Sequence, residues 1–554
     1  MRVLLMHPDR DFDLPAPPPP RDRRFDWGFE RLQPWRRHAT HRDRDVDPRP
    51  LPPHESALVQ DLELDTLVRA MAGPDGFLFE VARHALLSGV TNDVETILYR
   101  QGIVGDCLRN SAAIRGIYAL AVGVLEASRK HLISSTTRYP ASTLYQSIEA
   151  LEMLAVMLRK VRDIANLQAG RFESKGFTAL FARLREEFSD EYFARIETHL
   201  TDLKFRQGVL LSAALGEGNG GTDYVLRQMP DERRSWLDRL LHRGTPDYTF
   251  YIDARDEAGA RALSELRDRG INLVANALAQ STDHILSFFD MLCTELAFYI
   301  GCLNVHDTLA ALGAPICLPQ PEPAGGRRQR CSGLYDVCLA LRLGRTPVGN
   351  ALDADGKNLV IITGANQGGK STFLRGIGLA QLMMQCGMFV PANSFVAELS
   401  AGVFTHYRRE EDATMTHGKL DEELARLSEI IDAITPNAML LVNESFASTN
   451  EREGSEIARQ VVRALLEKGI KVFVVTHLYK FARGMFEHHL EDAEFLRAER
   501  QADGTRTFRI LEGEPLETSY GEDLYREVFG TTPENGHMMT SRVAARQQHG
   551  GGAS

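Results

Sequence analysis

The sequence lacks any apolar run that could span a bilayer, which takes about 20 residues. Its longest candidate, residues 117–125, is about half that length. The N-terminus begins Met-Arg-Val-Leu-Leu-Met but reaches His7, Pro8 and Asp9 at once, which is not the pattern of a signal peptide. We therefore predict a protein that stays out of membranes and lies in the cytoplasm.

Paired cysteines and an excess of positive charge are also missing. The seven cysteines are odd in number and form no Cys-x-x-Cys pair. This favours reduced thiols over a disulfide framework or a zinc site. The net charge of −11 excludes a polybasic nucleic-acid coat, although one basic face remains possible. A chain of 554 residues, at roughly 150 residues per domain, predicts several domains.

The two ends of the chain differ in composition from the rest. Residues 1–55 contain a proline run at 15–20, and the first 50 residues hold eleven arginines against nine acidic residues. We expect a disordered arm, either an arginine-rich tether for nucleic acid or a solvated tail, and the charge balance favours the tail. Residues 534–554, which end in a glycine-rich stretch, predict a second flexible tail.

Residues 56–313 have mainly helical periodicity. The longest pattern, 257–312, would form a helix of about 75 Å, well beyond a compact core. Between the helical stretches, residues 203–253 are rich in glycine and short apolar runs, which predicts a small, partly β insertion. The sequence thus predicts an arm with an insertion at its tip.

Residues 314–330, rich in proline and arginine, predict a linker, and beyond it residues 331–533 alternate between strand and helix patterns. Such alternation indicates a parallel sheet covered by helices. The fold class is therefore α/β plus mainly α. The predicted strands are 359–363, 438–442 and 471–475, and the predicted helices are 370–386 and 453–468.

A phosphate-binding motif follows the first of these strands and opens the next helix. It matches GxxxxGK[ST] in the context that this motif requires. Its backbone N–H groups and the helix N-terminus would hold phosphate, Lys370 would reach the β- and γ-phosphates, and Ser371 would bind Mg²⁺. The motif consists of Gly364, Ala365, Asn366, Gln367, Gly368, Gly369, Lys370, Ser371 and Thr372.

Two more strands end in polar residues. The second ends in Asn443 and Glu444, where a P-loop ATPase has a metal-binding Asp and then a Glu that polarises water. We predict that Glu444 is the general base and that Asn443 is an uncharged ligand on the metal side of the site. The alternative is that the two residues are only a polar strand end without a catalytic role. His477 ends the third strand and is placed to sense the γ-phosphate or to orient water.

From about residue 360 to 480 the chain resembles the MutS family of DNA mismatch-recognition ATPases. Residues 363–372 look like that family's P-loop, 387–392 like its "G-x-x-V-P-A" segment, and Thr476-His477 like its final motif. Ser519-Tyr520-Gly521 resembles its C-terminal "SYG". In the helical region, residues 99–104 and 295–299 resemble the family more weakly. Further matching positions are Phe404, Thr405, Asp412, Glu423, Thr449 and Gly454.

The resemblance implies a helical core and lever, a clamp-like insertion and a C-terminal ABC-type ATPase domain. It also implies a homodimer that uses ATP and Mg²⁺ to close a clamp on mismatched, altered or branched DNA. Departures weaken that expectation: Asn443 replaces the metal Asp, and Gly418 with Lys419 replaces the signature serine. The glycine-rich loop after the second strand is changed, and because only about 55 residues precede the core helices, we expect no mismatch-binding or connector domain. The alternative is a slow nucleotide-gated clamp on a partner other than DNA.

Overall fold

The computed structural model describes residues 2–12, 14, 51–52, 54–133, 139–206, 208–227, 249–253, 255–409, 418–488, 491–501 and 505–516. The chain divides into two compact units. The helical unit comprises Met1–Leu51, Val68–Ser88 and Glu95–Asp307, and the sheet unit comprises Pro52–Leu67, Gly89–Val94 and Thr308–Ser554. The mixed composition of helices and a parallel sheet, which the sequence predicts, is confirmed.

Helices make up most of the first 311 residues, as the periodicity predicts. These segments are helical because their apolar residues recur with a period of 3.6 residues. That spacing gives each helix an apolar stripe, which is buried against neighbouring helices. They are α1 (Glu55–Asp61), α2 (Leu64–Ala72), α3 (Gly76–Ser88), α4 (Val94–Arg109), α5 (Ser111–Ile133), α6 (Pro140–Gln168), α7 (Lys175–Glu187), α8 (Asp190–Asp202) and α9 (Glu257–Ala311).

The expected disordered arm is wrong for residues 2–12. Val3, Leu5 and Met6 are completely buried in the helical unit, and Phe12 is nearly so. Burying these apolar side chains is favourable because it removes them from water. The average composition of residues 1–55, which is dominated by proline, arginine and aspartate, does not show this short apolar stretch. The proline run and the rest of the predicted arm, residues 15–50, lie outside the described residues, as does the predicted tail at 534–554.

The insertion between α8 and α9 contains a two-stranded ribbon. Strands β1 (Leu210–Leu215) and β2 (Gly221–Arg227) pair antiparallel, with Leu215 opposite Gly221. Both strands are largely exposed, whereas every residue of α9 from 288 to 303 is buried.

Within the described residues, two helices are long and apolar enough, by length and composition, to cross a membrane. They are the stretch Ser111–Arg129 and the helix Glu257–Ala311, whose most apolar windows are 33% and 83% buried inside the protein. The buried core helix of a soluble protein satisfies the same criterion, so this count is weak grounds for a membrane span.

The sheet unit is built on a six-stranded sheet in the order β12-β11-β6-β10-β9-β8. All neighbouring pairs are parallel except β11 and β12, which form an antiparallel edge. The central strands β6, β9 and β10 are apolar except at their ends, which is typical of parallel strands covered by helices on both faces. The strands are β6 (Leu359–Thr363), β8 (Val403–Tyr407), β9 (Met439–Asn443), β10 (Lys471–Val475), β11 (Ala493–Arg500) and β12 (Arg506–Glu512).

Beyond residue 308, the described part of this unit also contains a smaller sheet and five helices. The smaller sheet has the order β3-β7-β4-β5. Its strands are β3 (Gln320–Glu322), β4 (Gln329–Leu334), β5 (Asn350–Asp353) and β7 (Ser394–Glu398). The helices are α10 (Val337–Leu343), α11 (Lys370–Gln385), α12 (Lys419–Ala433), α13 (Glu451–Glu467) and α14 (Tyr479–Glu487).

The predicted linker at 314–330 therefore contains strand β3 and the start of β4, because its backbone finds pairing partners far along the chain in β7. Residues 52–67 and 89–94, which the sequence analysis places in the helical region, belong to the sheet unit. Glu63 pairs there with Arg375 of α11, and Asn92 donates to the backbone oxygen of Gln385 at 2.8 Å.

Candidate nucleotide-binding site

The phosphate-binding motif forms the loop between the buried strand β6 and helix α11. Gly369 precedes the first residue of α11 with φ +92°, and Gln367 has φ +58°. Asn366 and Gln367 are exposed, while Ala365 and Gly368 are buried. The loop thus lies at the carboxyl end of a central strand, where parallel sheets bind ligands.

Two glycines in the loop are required by the strand next to it. A Cβ on Gly364 would lie 2.9 Å from the backbone nitrogen of Ala498, and φ at this glycine is +115°. A Cβ on Gly368 would lie 2.8 Å from the Ala498 Cβ. Strand β11 therefore packs so closely on the loop that only glycine fits at both positions.

Lys370 folds back into the loop. Its Nζ donates to the carbonyl oxygens of Gly364 at 2.9 Å and Ala365 at 2.8 Å. Burial lowers the pKa of Lys370 to about 8, against the opposing effect of the Glu444 carboxylate. The ammonium group is consequently held where a phosphate cradled by the loop would meet it.

Ser371 and Asn443 meet although they lie 72 residues apart. The Ser371 hydroxyl donates to Oδ1 of Asn443 at 2.8 Å, because strand β9 extends to residue 443 and ends beside the start of α11. Hydroxyl and amide oxygens are hard ligands of the type that Mg²⁺ takes, so the pair fits an ion held mainly by phosphates. Among the described residues, no group of three or more His, Cys, Asp or Glu side chains could hold a metal by itself.

Glu444 and His477 form the third part of the site. His477 Nε2 lies 2.9 Å from Glu444 Oε1, and both side chains are about a third exposed or less, at 31% and 27%. Glu444 has φ +56°, and its N–H donates to the Val475 oxygen of β10. The hydrogen bond from His477 holds the pKa of Glu444 below its usual value, outweighing burial, so this carboxylate is ionised at neutral pH.

The structure also contributes site residues that the sequence analysis missed. Arg506 of β12 donates to the Gln367 side chain at 2.6 Å and so reaches the phosphate loop from a strand 139 residues away. No motif marks that arginine, because only the β11–β12 pairing brings it there.

A buried histidine next to the catalytic candidate was missed as well. His406 Nε2 donates to the Glu423 carbonyl at 3.1 Å, and its Nδ1 lies 2.6 Å from Ser445 Oγ. Burial lowers the pKa of His406 to about 4, so the ring is neutral, and the Ser445 hydroxyl beside it donates to the backbone oxygen of His406 at 2.9 Å. This contact anchors the residue that follows Glu444.

Some predicted positions belong to other elements or lie outside the described residues. Gly418 stands directly before α12, with Lys419 as the first residue of that helix. Residues 410–417, including Asp412, and the segment Ser519-Tyr520-Gly521 lie outside the part of the chain that the structure describes. The structure therefore brings together the motif 364–372, Asn443, Glu444 and His477.

Comparisons with known proteins agree with this arrangement of the chain. A family model described as MutS2 N-terminal domain matches residues 92–312, and one described as MutS domain V matches residues 360–531. The second match contains the whole phosphate loop and both polar strand ends.

Curated relatives are similar over shorter segments. Endonuclease MutS2 of Thermus thermophilus is 32% identical over 181 residues, which is 32% of this chain and 23% of that protein. DNA mismatch repair protein MutS of Chloroflexus aurantiacus is 29% identical over 223 residues, 38% of this chain and 23% of that protein. MutS protein homolog 4 of Mus musculus is 29% identical over 198 residues, 34% of this chain and 20% of that protein. The matched part of this chain spans less than a quarter of the length of these three relatives. By both family models and these relatives, the chain belongs to the MutS family.

Proposed function

We propose that this protein binds ATP with Mg²⁺ at the phosphate loop and hydrolyses it to ADP and phosphate. The observation that carries the proposal is the convergence of Lys370, Ser371, Asn443, Glu444 and His477 at the carboxyl ends of β6, β9 and β10. These residues come from three separate strand ends, and each supplies a group that phosphoryl transfer to water uses.

Nucleotide binding rests on the loop and on Lys370. The loop amides and the N-terminus of α11 favour an anion. Lys370 exchanges its two carbonyl hydrogen bonds for phosphate oxygens, which are stronger acceptors for an ammonium group. A phosphate beside the lysine also raises the pKa of its buried ammonium group, so binding secures its charge.

Hydrolysis rests on Glu444. Its ionised carboxylate accepts a proton from the attacking water as the new P–O bond forms and the bond to the ADP oxygen breaks. His477 holds Oε1 of this carboxylate, which leaves Oε2 to accept from water. The histidine thereby positions the base and keeps it deprotonated.

The Mg²⁺ would be held by Ser371 and Asn443 together with phosphate oxygens. When bound, it neutralises negative charge that builds up on the phosphates. Asn443 contributes an oxygen but no negative charge, so the protein's share of the binding energy is smaller than a carboxylate would give. We infer a weak Mg²⁺ site and slow turnover.

The coupling of this reaction to DNA is the second part of the proposal. We propose a cytoplasmic homodimer in which α9 is the lever and the insertion near β1 and β2 is the clamp, with each nucleotide held between two ATPase domains. Nucleotide state would close the clamp on mismatched, altered or branched DNA. The similarity to relatives named for DNA mismatch repair and to an endonuclease supports DNA as the partner. Contacts would be mainly to phosphates and so sensitive to salt.

A second candidate is a slow nucleotide-gated clamp on a partner other than DNA. Two observations favour it: the uncharged Ser371–Asn443 pair, and the charge balance where α9 begins. There the exposed Arg261 and Arg267 alternate with the exposed Glu257 and Glu265, which gives no uniformly basic face.

Steady-state ATP hydrolysis with and without duplex and branched DNA, across a series of salt concentrations, separates the two candidates. Stimulation that fades with salt supports the DNA-coupled ATPase. Tight ATP binding without turnover and without any response to DNA rejects it in favour of the gated clamp.

The DNA-binding surface itself is tested with paired variants. Arg261→Gln with Arg267→Gln should lower the slope of log affinity against log salt by about 0.9 for each phosphate that the variant no longer neutralises. Arg452→Gln with Arg463→Gln, two exposed arginines of α13 in the sheet unit, is the matched control. Equal effects from both pairs would mean that DNA does not bind at the start of α9.

A further inference from the structure

A carboxylate is completely buried in the helical unit, away from the nucleotide site. Glu295 of α9 has no exposed surface and lies between the equally buried Leu296 and Thr294. Taking a carboxylate out of water costs several kcal/mol unless hydrogen bonds replace its hydration. The hydrogen-bond donors around Glu295 therefore identify the segment that this carboxylate binds.

Those donors are backbone amides of the N-terminal segment. The N–H groups of Leu5 and Met6 donate to Oε2, the latter at 3.0 Å, and that of Phe12 donates to Oε1 at 2.9 Å. The segment also closes on itself, since Asp11 Oδ1 accepts from the Val3 amide at 2.9 Å. One carboxylate thus fixes both ends of a compact stretch of the chain.

The carbonyl groups of the same segment are bound by side chains of the surrounding helices. The Tyr99 hydroxyl donates to the Leu4 oxygen at 2.6 Å, and Arg100 Nε donates to the Met6 oxygen at 2.6 Å. The Tyr299 hydroxyl of α9 donates to the carbonyl oxygen of Leu5 at 2.5 Å. Three consecutive carbonyls are therefore recognised from two helices.

The side chains of the segment fill apolar space in the same place. Val3, Leu5 and Met6 have no exposed surface, and the ring of Phe12 lies 5.6 Å from that of His84 in α3. Hydrogen bonds to the peptide backbone together with buried apolar side chains are the means by which proteins bind peptide segments.

We propose that the helical unit contains a peptide-binding groove between α4 and α9 whose ligand is residues 2–12 of this chain, and that the bound segment braces these two helices. The ligand class is a short peptide that folds back on itself, with apolar residues at 3, 5 and 6 and an aromatic residue at 12. The groove is independent of the nucleotide chemistry, and a failure of either proposal leaves the other standing.

The test separates the segment from the chain after folding. A protease recognition site is inserted after Gly28 in the full-length protein, which is purified intact and then cleaved. We expect the N-terminal fragment to remain bound at micromolar concentration in gel filtration and native mass spectrometry. A labelled synthetic peptide of residues 1–14 should replace it slowly, whereas a peptide with the same residues scrambled should not bind.

Variants identify the groove. Glu295→Gln keeps the shape but places an NH₂ group against a backbone N–H, so we expect peptide affinity to fall at least tenfold. Glu265→Gln, at an exposed position of the same helix, is the matched control and should leave affinity unchanged. If Glu295→Gln does not fold, Tyr99→Phe removes only the hydroxyl that binds Leu4 and serves as the milder variant.

Two results would overturn the proposal. One is a cleaved wild-type fragment that separates at micromolar concentration while the amides of α9 around residue 295 exchange hydrogen no faster than before. The other is a fragment that stays bound equally well to Glu295→Gln, Tyr99→Phe and wild-type protein. Loss of the fragment from Glu295→Gln but not from wild-type protein, together with faster exchange in α4 and α9 of that variant, would support the brace.

Discussion

The two units each contain a glutamate on which the structure depends, and their environments shift the pKa in opposite directions. Burial raises the pKa of Glu295 in the helical unit to about 8, against the hydrogen bonds from three backbone amides. In the sheet unit, the hydrogen bond from His477 holds the pKa of Glu444 below its usual value despite burial.

The difference lies in the partners. Burial is the largest cause at Glu295, the nearby Asp11 adds a like charge, and the neutral amide dipoles offset only part of both effects, so the pKa of Glu295 is raised. Glu444 is accessible to water and has His477 and the Lys370 ammonium nearby, which favour its ionised form. One carboxylate is therefore suited to holding a peptide and the other to accepting a proton.

The largest effect on nucleotide affinity should come from removing the cation of the nucleotide site. Lys370→Ala should weaken ATP binding by about 100-fold or more, since a buried charged hydrogen bond to phosphate is lost. Titration calorimetry with ATP measures this. Lys480→Ala, at an exposed position, is the control, and equal affinity in all three proteins would contradict the assigned role of Lys370.

Removing the base should leave binding and stop turnover. Glu444→Gln should retain ATP affinity and lower kcat by about 10²- to 10⁴-fold, the usual contribution of a general base. Single-turnover hydrolysis measures the chemical step directly. Glu467→Gln, an exposed glutamate of α13, is the matched control. A kcat that stays within a few-fold of wild type would remove Glu444 from the mechanism.

The raised pKa of Glu295 predicts how the groove responds to pH. The occupied groove binds a proton more tightly than the free side chain, whose pKa is 4.5, so occupation is strongest below about pH 4.5 and weakens as pH rises toward about 8. Affinity of the 1–14 peptide should fall by at most about tenfold per pH unit in that window.

Other titratable groups face the same carboxylate and need a control. The raised pKa values of Tyr99 and Tyr299 keep their hydroxyls neutral in this window, which leaves His7 and Asp11. Glu295→Gln retains both of these groups and should flatten the profile. An unchanged slope in that variant would assign the pH dependence to His7 or Asp11 instead.

The smallest effect concerns the uncharged metal ligand. Asn443→Asp places a negative charge beside Ser371 and should raise apparent Mg²⁺ affinity about tenfold, or about 1.4 kcal/mol, with a corresponding gain in turnover at low Mg²⁺. Magnesium titrations of hydrolysis measure both quantities. An unchanged profile would mean that Asn serves as well as Asp, and the inference of slow turnover would fail.

The sequence predicted the sheet unit far better than the N-terminus. The strand 359–363, the loop and the helix from Lys370 are consecutive in sequence, and their periodicity and glycine spacing suffice to predict them. Residues 2–12 have no comparable pattern, because so short a segment cannot show a period and its composition is mixed with that of the arm that follows.

What the sequence determined by itself was local: which strand precedes the phosphate loop, which residues end β9 and β10, and which stretch forms the long helix. Only the tertiary structure decided which of them touch. Ser371 meets Asn443 across 72 residues, Gln367 meets Arg506 across 139, and Glu295 meets Leu5 across 290. Such contacts depend on how strands order themselves and helices pack, and no short-range pattern encodes that geometry.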